Sequence, residues 1–294
     1  MSWIVLIIII VGLYYGYKTE MYMTQILMIQ NLLIFMIAYF PGFISPNITF
    51  QVYNDLAGKA VYITSLQLLF YRFYTFISMM YLHADIMHIG MNMIILFFIG
   101  MPLEDRIGKD KFLFVYIFGG FIATLGQYFI DWGDTGLNIG ASGAVFAVMG
   151  ALVFMFPKDK ITMFLGPILM RRIRVDLAVA VFIMMQTGYA LLSPDTNIAH
   201  AAHFAGFAGG MLLGAMLKKI GTGELKEKAR DYTKLKILVT DEKSKDIYKK
   251  IISSDEEEVK KAWTEYLIDK SKCPRCGRDL NGPRCRCGFK LWED

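Results

Sequence analysis

Seven apolar runs dominate this chain, at about residues 2–17, 22–40, 76–100, 111–130, 139–156, 173–192 and 198–217. A helix needs about 20 predominantly apolar residues to cross a bilayer, with a range of about 17–25. Most of the runs qualify; the first is short and 139–156 is near the limit. Backbone polar groups in hydrocarbon must be paired within the segment, so runs of this kind fold as helices. The expected fold class is therefore an all-α polytopic membrane protein. The chain's 55% hydrophobic content is also too high for an ordinary soluble domain of 294 residues.

Charge divides the chain further. Residues 1–217 carry 11 Lys+Arg and 11 Asp+Glu, whereas 218–294 carry 20 and 15. The mixed signs of the tail describe a solvated surface under a membrane and give no strong indication of nucleic-acid binding. Basic residues also orient the spans. Lys18, then Arg106, Lys109 and Lys111, then Lys158, Lys160, Arg171, Arg172 and Arg174, and finally the tail, fall on alternate connections. "DWGDTGLN" and "SPDTN" carry none. This alternation predicts seven spans, with the N-terminus outside and the tail cytoplasmic. The first run lacks a basic flank and a small-residue cleavage site, and reads as a retained span. The competing topology has six spans, with 1–17 lying in the interface.

That topology places the scarce polar residues together. His83, His88 and Asn92 begin the third run, Ser142 begins the fifth, and His200 and His203 begin the seventh. All fall at one shallow depth on the outer side. Alone, a serine among small residues is helix-packing material; from several spans at one depth, polar side chains line a cavity or pathway. His203, Gly206, Gly210 and Gly214 share a helix face, as do Gly143, Ala147 and Ala151. If these two rows meet, Ser142 comes within reach of His203, a base able to take its proton. No carboxylate is placed by periodicity beside His203, which favours a Ser–His dyad. Asn92 and His88 are then candidate donors to an oxyanion, and Gly140 and Gly143 would let the Ser142 amide approach it.

"GASG" at 140–143, "HADIMHIGMN" at 83–92, "HFAGFAGG" at 203–210, "LEDRIG" at 103–108 and Tyr71-Arg72 occur in the order found in rhomboid intramembrane serine proteases. Over about residues 22–217 the chain resembles that family. The resemblance implies a six-helix core, here with one extra N-terminal span at 1–21. It also implies that Ser142 is the nucleophile and His203 the base, with Asn92, His88 and the Ser142 amide at the oxyanion and His83 in support. Arg72, Glu104 and Gly108 correspond to structural positions, the latter two as loop contacts at the cytoplasmic end. His200 matches no catalytic position. Tyr71 replaces a frequent tryptophan, and Phe146 replaces a frequent tyrosine beneath the histidine. The aromatic stretch 41–74 resembles the family's interfacial loop, and "SPDTN" its cap. The resemblance also implies that substrate enters sideways, near 76–100 and 173–192.

The four cysteines of the chain, Cys273, Cys276, Cys285 and Cys287, close the sequence. Their spacing resembles zinc-ribbon knuckles, and four thiolates suit a structural tetrahedral Zn²⁺. Free thiols are the alternative. Residues 218–270 read as a charged, helical cytoplasmic linker and 271–294 as the zinc-ribbon-like module. The expected activity is hydrolysis of transmembrane segments near the outer boundary of a cell membrane, with no cofactor for catalysis. Membrane-protein substrates and the bilayer are the expected partners. The competing readings are a proteolytically inactive relative that binds transmembrane segments and a transporter with a midplane site.

Overall fold

A computed structural model describes residues 2–165, 168–192, 199–224, 232–254, 257–280, 282, 285 and 287–291. The chain divides into two compact units, Met1–Gly221 and Thr222–Asp294.

The first unit is a helical bundle. It begins with α1 (Ser2–Lys18) and α2 (Met23–Tyr39). The short helices α3 (Pro46–Leu56), α4 (Leu66–Arg72) and α5 (Thr75–Ser78) follow, then α6 (Ile86–Ile107), α7 (Lys109–Ile130) and α8 (Ser142–Met155). The hairpin β1 (Lys160–Leu165) and β2 (Ile168–Arg174) leads to α9 (Val175–Leu192) and α10 (His200–Glu224). Met23–Gly42, Ile86–Ile107, Lys109–Ile130 and His200–Lys219 are long and apolar enough to cross a membrane. Ser2–Lys18, Ser142–Met155 and Val175–Gly188 are shorter apolar helices.

The shortness of α8 matters most for the site. Its residues Gly143–Leu152 are all buried, the mark of a helix surrounded by others. Its 14 residues rise only about 21 Å, against about 30 Å of hydrocarbon. A central helix this short cannot reach both surfaces of a bilayer.

The third span starts and stops later than the apolar run 76–100. Residues 75–81 form α5 and a 3₁₀ turn, and Asp85 caps α6 by accepting from the His88 amide at 2.8 Å. At the other end the "LEDRIG" stretch is not a loop. Glu104 lies inside α6, and the connection to α7 is Gly108 alone, whose φ of 80° suits a residue without Cβ. Glu104 is buried and accepts from the Met23 and Thr24 amides (2.6 and 2.8 Å) and the Thr24 hydroxyl (2.7 Å). It therefore places a carboxylate at the positive N-terminus of α2. Lys109 donates to the Gly16 and Thr19 carbonyls (2.9 and 2.6 Å), at the negative C-terminus of α1. One tight turn thus holds the α1–α2 turn by two opposite charges.

The apolar runs do not predict the hairpin; in β1 only Lys160–Met163 alternates in polarity, too short a stretch to stand out from a connection. The dipeptide Gly166-Pro167 between two such stretches was the available signal. Ile161, Met163 and Ile173 face the bundle core. The register slips by one between Ile161 and Met163, and Arg172 takes a φ of 57° beside the slip, as in a β-bulge.

The second unit holds a 3₁₀ stretch (Tyr232–Leu238), α11 (Glu242–Ser253) and α12 (Glu257–Asp269). Asp241 caps α11, accepting from the Ser244 amide at 2.7 Å. Leu235, Leu238, Ile251, Leu267 and Ile268 share a core with Cys273, Leu280 and Leu291. The charged segment and the cysteine module thus pack together. Residues 193–198, holding the proposed cap, residues 225–231, and Asp255-Glu256 lie outside the described residues.

Candidate active site

The two small-residue rows meet. A Cβ on Gly206 would overlap the Gly143 carbonyl oxygen, one on Gly210 the Ala147 carbonyl oxygen, and one on Gly214 would lie 3.2 Å from Ala151 Cα. Helices α8 and α10 therefore touch backbone to backbone. On the flank, a Cβ on Gly119 would overlap the Ala147 methyl and one on Gly143 would meet Ala123 Cβ at 2.6 Å, so α7 joins the same close packing.

This approach brings Ser142 Oγ to 2.9 Å from His203 Nε2. Phe146, one turn along α8, lies flat under the imidazole, with centroids 4.4 Å apart and planes at 8°. Phe182 of α9 packs on Phe146 in turn (5.6 Å). The stack fixes the ring plane without a phenolic hydroxyl. His203 is buried, and its Nδ1 has no hydrogen-bond partner among the described residues. Three aspartates of the membrane unit have other partners: Asp85 at the α6 cap, Asp131 with Gln127 (2.7 Å) and Asp134 with the Gly136 amide (3.0 Å). Asp195 is outside the described residues. His200 points elsewhere, its Nδ1 2.8 Å from Gln186 Nε2.

Across from the pair, the Ala84 amide donates to His88 Nδ1 (3.3 Å), which leaves Nε2 as the proton-bearing nitrogen of the neutral ring. A Cβ on Gly140 would lie 2.8 Å from His88 Nε2 and 3.8 Å from Ser142 Oγ; the φ of 123° at Gly140 and this space both require glycine. Asn92 is buried and donates from Nδ2 to the His88 carbonyl at 2.9 Å, which leaves its second N–H for another acceptor. The buried His83 ring meets the His88 ring edge to face at 4.9 Å, and the Tyr53 hydroxyl donates to the His83 carbonyl.

Arg72 is not at the pair. It lies over the Tyr62 ring (5.6 Å) and donates to the Tyr74 hydroxyl (3.0 Å) and the Asp55 carbonyl (3.4 Å), tying the 46–75 segment together. Glu104 and Gly108 sit at the far end of α6. Gln127 was not singled out by the sequence; its Oε1 accepts from the Ala202 amide (2.9 Å), pinning α7 to the start of α10. A glutamine inside an apolar span was the visible signal. Thr124, Gln127, Tyr128, Asn138, Gly140 and Ser142 border a cavity of about 20 Å³, room for about one water.

The rhomboid-domain family model matches residues 71–220, half of the chain, a range that includes His83, His88, Asn92, Gly140, Ser142, Phe146 and His203. The chain belongs to the rhomboid family. It is 31% identical over 134 residues to YdcA of Bacillus subtilis, covering 45% of this chain and 61% of that protein. It is 29% identical over 136 residues to the rhomboid protease GluP of the same organism, covering 46% and 24%. A 93-residue match at 33% identity to the mitochondrial rhomboid protein 1 of Saccharomyces cerevisiae covers 29% and 26%. The chain thus spans less than two thirds of each relative's length. Rhomboid membership and the apolar helices describe a multi-pass membrane protein.

The matched rhomboid region excludes the second unit, where the sulfurs of Cys273, Cys276, Cys285 and Cys287 all lie within 4.8 Å of one another. The pairs Cys273–Cys287 and Cys276–Cys285 are each 3.6 Å apart. A tetrahedral ion with metal–sulfur bonds of about 2.3 Å separates its ligands by roughly 3.8 Å, so the four thiols fit a metal. Arg278 donates to Cys276 and holds its thiol below the usual range, whereas burial and the neighbouring thiols push Cys287 up.

Proposed function

We propose that this rhomboid is an active serine endopeptidase that cleaves transmembrane segments of membrane proteins. The observation that carries this reading is the 2.9 Å contact between Ser142 Oγ and His203 Nε2, held by the glycine packing of α8 on α10. His203 Nε2 takes the serine proton as Oγ attacks the scissile carbonyl carbon, then returns it to the leaving amine. A water attacks the acyl carbon in the second half, with His203 again the base; the small cavity behind Ser142 is suited to supplying it.

The negative charge that forms on the carbonyl oxygen is met by His88 Nε2–H, the free Asn92 N–H and the Ser142 amide. Gly140 and Gly143 keep that space open, and His83 supports the His88 ring. Phe146 holds the base, while Arg72, Glu104 and Gly108 act on the fold. By the distribution of Lys and Arg, Ser142 faces outside in a cell membrane and the tail is cytoplasmic. The cut then falls near the outer boundary. The four cysteines hold a structural Zn²⁺, because four protein ligands leave no open position for catalysis.

The test is labelling of purified protein with a serine-directed phosphonate, followed by cleavage of a reconstituted transmembrane substrate. The parent protein labels at Ser142 and cleaves; Ser142→Ala and His203→Ala are folded and do neither. His200→Ala retains most activity. A parent that binds the segment without labelling or cleaving it identifies an inactive rhomboid instead.

A further inference from the structure

Backbone contacts close the α7, α8 and α10 side of the Ser142–His203 pair, and α2 packs on α6. The remaining flank lies between α6 and α9. Strand β1 packs against both of those helices, so the hairpin sits between them. Arg106, at the end of α6, pairs with Asp159 at 2.7 Å just before β1. Further along, the Phe164 ring meets Phe98 edge to face at 5.3 Å. The hairpin therefore climbs α6 from its far end toward the pair.

Above Phe98 on that face of α6 run Ile94, Met91 and Met87, all exposed and spaced three or four residues apart. The stripe begins beside His88 and Asn92 and ends on the hairpin, where Phe164, Leu169 and Met170 are also exposed. From Asn92 to Phe98 the helix descends about 9 Å.

We propose that the hairpin is the floor of a docking surface for the membrane-embedded part of the substrate, and that Phe164, Leu169 and Met170 read its side chains on that side of the cut. This rests on the proteolytic reading of the pair. The occupant is an apolar peptide segment, because the stripe is continuous with the groups that would hold the scissile carbonyl. Its methionines suit many side-chain shapes. A descent of about 9 Å corresponds to about three residues of extended chain or about six of helix. The hairpin thus senses positions about three to six residues beyond the cleaved bond, while the dyad senses the bond itself.

The experiment uses full-length protein in vesicles. A photo-crosslinking amino acid at position 169 or 170 is irradiated with a model transmembrane substrate bound to the Ser142→Ala form, and the adduct is mapped. Adducts three to six residues to the embedded side of the bond are expected. Adducts only to lipid, or only to a second copy of the chain, overturn the proposal.

In parallel, the Leu169→Ser/Met170→Ser form is compared with the parent on the transmembrane substrate, on a short soluble peptide spanning the bond, and on the phosphonate. Roughly 10-fold slower cleavage of the transmembrane substrate is expected, with the peptide and the phosphonate unchanged. Unchanged cleavage of all three overturns the docking role while leaving the dyad intact. A parent protein that the phosphonate does not label overturns the proteolytic reading instead, and the crosslink map still decides what the hairpin binds.

Discussion

Adding one methyl group to Gly206 should separate the catalytic pair without touching either member. In Gly206→Ala the new Cβ overlaps the Gly143 carbonyl oxygen and lies 3.1 Å from its carbon and 3.2 Å from Ala123 Cβ. The opposing atoms are largely backbone, so no rotamer relieves the clash. Restoring ordinary contact requires α10 to back away from α8 by about 1 Å, at a cost of about 1–3 kcal/mol. Gly206 lies one turn from His203, so the 2.9 Å Ser142–His203 contact opens to about 4 Å, beyond hydrogen-bond range. A misplacement of about 1 Å costs roughly 10²-fold in rate. The assay is kcat on a transmembrane substrate, with thermal unfolding in detergent as the fold check and Gly90→Ala as control. A Cβ at Gly90 meets nothing within 4 Å. A folded Gly206→Ala protein that cleaves at the parent rate would refute the claim that backbone contact sets the pair.

Asn92→Ala should lower kcat by roughly 10–1,000-fold with little change in KM, the signature of a lost oxyanion donor; a KM effect alone would make Asn92 a docking residue. Glu104→Gln should cost roughly 2–3 kcal/mol in detergent unfolding, because a neutral amide replaces the charge that accepts three hydrogen bonds at the start of α2. An unchanged Tm would remove the clamp from the account of stability. Elemental analysis should give about one zinc per chain, lost in the Cys273→Ser/Cys276→Ser form, with substrate cleavage retained. Metal content unaffected by that change would place the ion elsewhere, and cleavage lost with the metal would tie the second unit to the chemistry.

Period and position made much of this rhomboid readable. The Gly143–Ala147–Ala151 and His203–Gly206–Gly210–Gly214 rows could be paired on paper because small residues at helical spacing have few uses other than close helix contact. The contact between Ser142 and His203 follows from that pairing. The site's other side was less accessible. Which His88 nitrogen faces Ser142 depends on the Ala84 amide, and the position of Ala84 depends on the Asp85 cap; neither has a period to detect. The resemblance implies a loop contact for Glu104, and nothing in the sequence pattern shows that it lies inside α6. Here the charge is buried, neutralised by a helix N-terminus about 80 residues away in sequence. The hairpin escaped because its alternation is brief and one register slip interrupts it.

Sixty-one residues separate Ser142 from His203, and the helix bearing the histidine is the last of the membrane unit. During synthesis Ser142 is therefore made well before His203. Until α10 has entered and closed on α8, the growing chain carries an alcohol of ordinary reactivity among neighbouring nascent membrane segments. On the proteolytic reading, the packing of α10 on α8 is the event that completes the Ser142–His203 pair.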